Sequence, residues 1–272
     1  MRRQRGAFIA IVVTIFLGVT LFAATFDAFH NLDSSYERAF TDYRFANLTV
    51  SGGETGQIAS RAQAAAGVEH VQARVQMDLP VRIGRDKLLG RVVGMPAGHQ
   101  PAVNRLEVEQ GSYLDRRHPD GVLVERHLAE TFDLAPGDLI SITGSGGARR
   151  VEVLGVVASP EYFWPARSRQ EVFAAPEDFG VVFAPERLAG ALAGAQRPNQ
   201  VAIYYEGGEP DTSLTDRLGA VSERLGAADV LTRDEQPSNS ALQQDLTSFE
   251  EMAILFPLLF LTAAALATGI LM

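Results

Sequence analysis

The chain has 272 residues, with 24 Lys and Arg against 33 Asp and Glu, a formal charge of −9. The acidic balance excludes a nucleic-acid binder, which needs a cationic face for phosphates. The absence of cysteine excludes disulfides and thiolate chemistry. Lysine occurs once, as Lys87 followed by Leu88, so no Gly-rich turn ends in the Lys-Ser/Thr pair of a P-loop, and any ATPase is expected on another polypeptide or beyond Met272.

Arg2, Arg3 and Arg5 precede an uncharged apolar stretch at residues 7–26. Its length matches a bilayer core, and it lacks the A-x-A site of a cleaved leader. Basic flanks stay cytoplasmic, so these arginines orient the first span with its N-terminus inside and place the following domain outside. Residues 1–26 are therefore read as a cytoplasmic tip and first transmembrane helix. Residues 27–45 carry Phe29, Leu32, Tyr36, Phe40 and Tyr43 at near-helical spacing and predict an outer stalk.

Strand and helix patterns follow. Residues 46–50 read as a strand, 57–66 as a helix stopped by Gly67, 68–83 as one long strand and 87–95 as its return. The pattern resumes with a strand at 199–206, an amphipathic helix at 211–225 and a strand at 228–232. Together, residues 46–98 and 196–235 predict a mixed α/β lobe of ferredoxin-like split βαβ type. Residues 99–195 predict an inserted β-rich lobe. It has a strand at 121–125, a short helix at 127–132, and a hairpin of 139–143 with 149–157 around Gly144-Ser145-Gly146-Gly147. A further strand follows at 179–183. The crossings between lobes are expected near 97–105 and 190–198. Residues 236–251 read as a second stalk, and 252–272 as a second transmembrane helix running inward. In it Ala265 and Gly269 form a small-xxx-small pair suited to helix packing, and Pro257 is placed to bend it. The fold class is thus membrane-anchored α+β, flanked by two transmembrane helices with helical stalks.

No catalytic or metal constellation emerges. The histidines, His30, His70, His99, His118 and His127, lack metalloprotease spacing, and His127 with Glu130 reads as a solvated helix face. Gly144-Ser145-Gly146-Gly147 lacks the nucleophile-elbow spacing, and Arg149 stands where a dinucleotide fingerprint needs its third glycine. No cofactor is expected. The aromatic run Tyr162, Phe163, Trp164, with Phe173, reads either as core of the β-rich lobe or as a contact surface for a partner or lipid-like cargo.

Several runs carry a family resemblance. They are Gly90–Met95 (GRVVGM), Gln110-Gly111-Ser112-Tyr113-Leu114, Val122-Leu123-Val124-Glu125, Leu128-Ala129, Leu134-Ala135-Pro136-Gly137-Asp138, Val151–Val157 and Ser159-Pro160-Glu161-Tyr162. With the span-and-lobe plan, they resemble permease subunits of the MacB/FtsX/LolC type of ABC transporter. The resemblance implies a Porter-like lobe with a Sabre-like insertion, and a bacterial inner-membrane, multi-pass location with the large domain extracytoplasmic. It also implies a non-catalytic role, coupling hydrolysis by an ABC ATPase subunit to motion that moves lipid-, lipoprotein- or peptide-like cargo, with a second permease copy as partner in a homo- or heterodimer. Family members continue through further spans, whereas this sequence ends within its second. Two other functions fit the layout: an FtsX-like regulator of cell-wall hydrolases and a two-span membrane sensor.

Overall fold

The computed structural model describes residues 2–168, 175–195 and 197–271. The chain divides into two compact units, Met1–Arg38 with Leu242–Met272, and Ala39–Ala241.

The first unit comprises most of two long helices, α1 (Arg2–Asp42) and α6 (Pro237–Leu271). In each, the apolar stretch and the adjoining stalk form one continuous helix, as the sequence predicts. No glycine or proline interrupts residues 19–42, so nothing breaks the ladder where apolar sequence gives way to polar. α6 carries Pro257 inside it. Among the described residues, one stretch, Ile15–Asp42, is long and apolar enough to cross a membrane. Phe16, Leu17, Phe22 and Phe26 are exposed along it, as lipid-facing positions are and soluble-core positions are not.

The second unit holds two sheets. The first has β1 (Leu48–Ser51), β2 (Val68–Arg74), β10 (Gln200–Tyr205) and β11 (Asp229–Thr232) in the order β11-β1-β10-β2, with all neighbours antiparallel. Helices α2 (Thr55–Gln63) and α5 (Thr212–Arg224) connect β1 to β2 and β10 to β11. Their apolar faces, Ile58, Ala62, Leu214 and Leu218, pack with Leu48, Val50, Val201 and Ile203. Asp211 starts α5 by accepting from Leu214 N at 2.8 Å. The turn after β1 has Gly53 at φ +70°, and a β-carbon there would lie 2.6 Å from the backbone that ends α5.

The second sheet runs β5-β8-β6-β9-β4-β3-β7: β3 (Gln76–Ile83), β4 (Asp86–Met95), β5 (Glu107–Gly111), β6 (Gly121–Glu125), β7 (Leu139–Gly144), β8 (Gly147–Ala158) and β9 (Phe179–Pro185). β7 pairs with both β3 and β8, which closes the sheet on itself and leaves β5 outside, beside the C-terminal half of β8. The interior is filled by one face of the strands, including Val81, Val92, Val124, Ile142 and Val153. Helices α3 (Arg126–Phe132) and α4 (Glu186–Ala193) add Leu128 and Leu188 to it.

Residues 68–83, read as one strand, are two, and they belong to different sheets. Val75 is the sole residue between β2 and β3, so the chain crosses between sheets there. The strand pairing therefore puts β3 and β4 with the β-rich layer instead of the mixed lobe. Continuous β-propensity conceals a change of partner, because propensity reports fit to a pleated surface and not which sheet supplies it. Pro80 is accommodated because β3 pairs with β7 only at Val81 and Arg82.

Candidate functional site

Where the chain crosses between sheets, the side chains are charged. Arg74, last in β2, is 1% exposed. Its Nη1 donates to Glu161 Oε2 at 2.7 Å and its Nη2 donates to Glu161 Oε1, a two-pronged pair. Its Nε donates to Gln200 Oε1 at 2.7 Å. Burial opposes the charge on Arg74, and the Glu161 carboxylate outweighs that, so the guanidinium is held above its ordinary value. Glu161 reaches the seam because the chain leaves β8 in a short 3-10 turn, Pro160–Tyr162, whose start is capped by Ser159 Oγ accepting from Glu161 N at 3.3 Å. Asn199 adds a second tie, accepting from Gln76 N at 2.8 Å and donating to Gln76 O at 2.7 Å.

A cleft of about 300 Å³ opens beside this pair, lined among others by Gln76, Arg91, Glu161, Tyr162, Gln200 and Ser238. Arg91 is fixed across it: its Nε donates to Asp78 Oδ1 at 2.8 Å and its Nη2 to Asp78 Oδ2 at 3.1 Å. Burial, together with the nearby Glu161 charge, pushes the Tyr162 hydroxyl up to about 12, so it remains a neutral phenol at physiological pH.

The last turn of α1 and the first turn of α6 enter the same body. Phe40, 1% exposed, lies 4.8 Å from the Phe45 ring and 6.0 Å from the Phe163 ring between centroids. Arg233 sits over both Phe40 and Phe45, and its Nη2 donates to Phe45 O at 2.8 Å. Ala46 N donates to Asn104 Oδ1 at 2.8 Å and Ala46 O accepts from Gln236 Nε2 at 2.9 Å. At the start of α6, Ser238 Oγ accepts from Trp164 N at 3.0 Å. Both helix ends are therefore held by buried polar bonds as well as by packing.

The residues singled out in the sequence fall as follows. Tyr162 is 4% exposed and packs in the core of the β-rich layer, 6.1 Å from the Phe183 ring between centroids, with its remaining surface on the cleft. Phe163 and Trp164 are half-buried beside the helix ends, Phe163 near Phe40 and Trp164 bonded to Ser238. Phe173 lies outside the described residues. Arg2, Arg3 and Arg5 begin α1, but their side chains lie outside the described residues. Ala265 is exposed on α6, and the surroundings of Gly269 lie outside the described residues. Within the first unit, the close approach that is described is at Gly18, where a β-carbon would sit 3.5 Å from Phe260 Cβ. His127 is paired not with Glu130 but with Glu125, Nδ1 to Oε1 at 2.9 Å. Sequence reading missed Arg74 and Glu161. The available signal was a lone arginine in the run VQARVQ, where a β-strand's alternation gave no warning that the residue turns inward.

No family model matches the chain, and no curated protein matches it. Among solved structures it is similar to the extracellular domain of the noncanonic ABC-type transporter YknZ from Gram-positive bacteria, at 15% identity and a TM-score of 0.42, covering 66% of this chain and 91% of that one. It is similar to the periplasmic region of MacB from Actinobacillus actinomycetemcomitans, at 12% identity and 0.43, covering 74% and 91%. A domain of a putative permease protein from Porphyromonas gingivalis matches at 14% and 0.38, covering 68% and 82%.

Proposed function

We propose that the chain is a non-catalytic, permease-type subunit of an ABC transporter, anchored in the bacterial inner membrane with residues 39–241 outside. In this reading an ATPase on a separate polypeptide drives it, and a second permease copy completes the assembly. The observation that carries the reading is mechanical. α1 continues without a break from its apolar stretch to Asp42, and its last turn ends in the packed ring cluster of Phe40, Phe45 and Phe163. A long helix with no hinge transmits displacement, whereas a flexible linker would dissipate it. The runs resembling MacB/FtsX/LolC permeases support the same reading. The lobes described in the sequence as Porter-like and Sabre-like would then move cargo of lipid, lipoprotein or peptide character.

Co-expression with neighbouring genes tests the proposal. The expected result is co-purification with a nucleotide-hydrolysing subunit, with ATP turnover retained but cargo movement lost when Gly-Ser-Gly is inserted after Ser34. Purification free of any ATPase, or full cargo movement with that insertion, overturns it.

A further inference from the structure

A row of cations crosses four adjacent strands of the closed sheet. Lys87 of β4 stands opposite Arg82 of β3, Arg82 opposite Ser141 of β7, and Ser141 opposite Arg150 of β8. Residues in direct register share a face. The adjoining register positions, Leu88, Val81 and Ile142, are buried in the core, so the row lies on the outer face. Lys87, Arg82 and Arg150 are exposed, and among the described residues none of the three is in an ion pair. Neighbouring strands lie about 4.8 Å apart, so the row spans about 14 Å.

The pairing is unfavourable for the fold alone. Like charges directly opposite each other destabilise a sheet, and Arg82 faces Lys87, the single lysine of a chain with net charge −9. Carboxylates that could relieve it are nearby but placed otherwise. Asp86 is opposite Ile83, and Asp120 is taken by Arg149 at 2.5 Å. Glu152 shares a face with Arg150, two residues along β8, but no carboxylate stands opposite the Arg82–Lys87 pair, and that local cost points to a use outside the fold.

Shape narrows the use. β3 and β7 are in register at only two positions, and beside them a groove of about 290 Å³ opens, lined by Pro80, Arg82, Lys87, Ser141, Thr143 and Ala148. Leu139, 57% exposed, stands one same-face position further along β7, beside Arg150 in an adjoining depression. A groove with Arg82 and Lys87 along it and small polar residues opposite suits the side chains of an extended polypeptide better than a plane of lipid headgroups.

We propose that this row is a docking surface for an acidic segment of a protein partner, engaged through Arg82, Lys87 and Arg150. The surface is independent of the permease reading, since binding here needs neither ATP nor an ATPase.

The test uses the full chain in non-ionic detergent and a fluorescein-labelled deca-glutamate peptide, read by anisotropy at low and at 0.5 M salt. The expected result is salt-sensitive binding. It weakens at least tenfold in Arg82→Thr/Lys87→Thr/Arg150→Thr. It is little changed in Arg61→Ser/Arg217→Ser/Arg224→Ser, which alters net charge equally on α2 and α5. The first variant should melt no lower than the parent, because a like-charge pair has been removed. The proposal is overturned if the peptide does not bind, if both triple variants lose binding alike, or if phosphatidylglycerol vesicles compete the peptide away and bind the row in its place.

Discussion

The interior of the closed sheet and the seam between the two sheets are both buried, and they are built on opposite principles. The interior is made of aliphatic side chains, such as the cross-strand neighbours Val81 and Ile142. Its contacts are non-directional, and every atom removed costs transfer energy and leaves a cavity. The seam is closed by Arg74 and Glu161, with Gln200 and Asn199 beside them. Attraction there must offset the desolvation of two charges, so the net gain is small while the loss on breaking it is large. The interior is stable over a range of small distortions. The seam is stable in one geometry, and a cleft of about 300 Å³ opens at its side.

The contrast is broken or sharpened by paired substitutions. Arg74→Ala or Glu161→Ala alone strands a buried charge and should cost about 3–5 kcal/mol in chemical unfolding. Replacing both, as Arg74→Met/Glu161→Leu, should recover most of that loss, because neither charge is then left without a partner. Within the interior the cycle should behave in the opposite way. Ile142→Ala should cost about 2–5 kcal/mol and Val81→Ala somewhat less, with the double variant worse than either. A double seam variant as unstable as its worst single parent would show that packing, and not charge pairing, closes the seam.

Backbone constraint comes next in size. Gly53 combines positive φ with backbone of the α5 terminus 2.6 Å from where a β-carbon would stand. Gly53→Ala should therefore destabilise the first sheet by more than about 1 kcal/mol, whereas an unstrained replacement would be neutral or mildly stabilising, and the loss is read as a lower melting midpoint. Gly146, with nothing near its β-carbon position and an ordinary φ, is the control, and its replacement by Ala should change stability little.

How far these features were visible in the sequence depends on whether they are local. The strand at 121–125, the helix at 211–225 and the β7–β8 hairpin follow from short-range pattern and turn chemistry, and the structure places each within a few residues. The division of residues 68–83 between two sheets depends on which partners the two halves take, β10, more than a hundred residues on, for the first half, and β4, the strand that follows directly, with the more distant β7 for the second. No local period encodes that. α4 went unread because ERLAGALA is short and its apolar residues resemble those of the flanking strand. The Ser159-Pro160-Glu161-Tyr162 run was noticed as a resemblance, and the fold gives it a physical task in presenting Glu161 to Arg74. That task could not be read from the run, since the arginine lies 87 positions earlier.

The smallest expected effect separates a seam-type charge contact from one at the rim of the closed sheet. Glu125 caps α3 by accepting from His127 N at 2.8 Å, and the same carboxylate meets His127 Nδ1 at 2.9 Å. That hydrogen bond holds the imidazole above its ordinary value, although partial burial opposes it. A raised folded value means that the contribution is fully present below the unfolded pKa of about 6.5 and is lost as pH rises through the folded one. His127→Gln should therefore lower the melting midpoint more at pH 5.5 than at pH 8.5. The difference should amount to a few tenths of a kcal/mol, because the ring is about a third exposed and solvent screens the pair. An equal loss at both pH values would assign the effect to the packing of the ring, since the capping main-chain N–H survives the substitution. In that case charge would contribute to this fold at the seam and not at the rim.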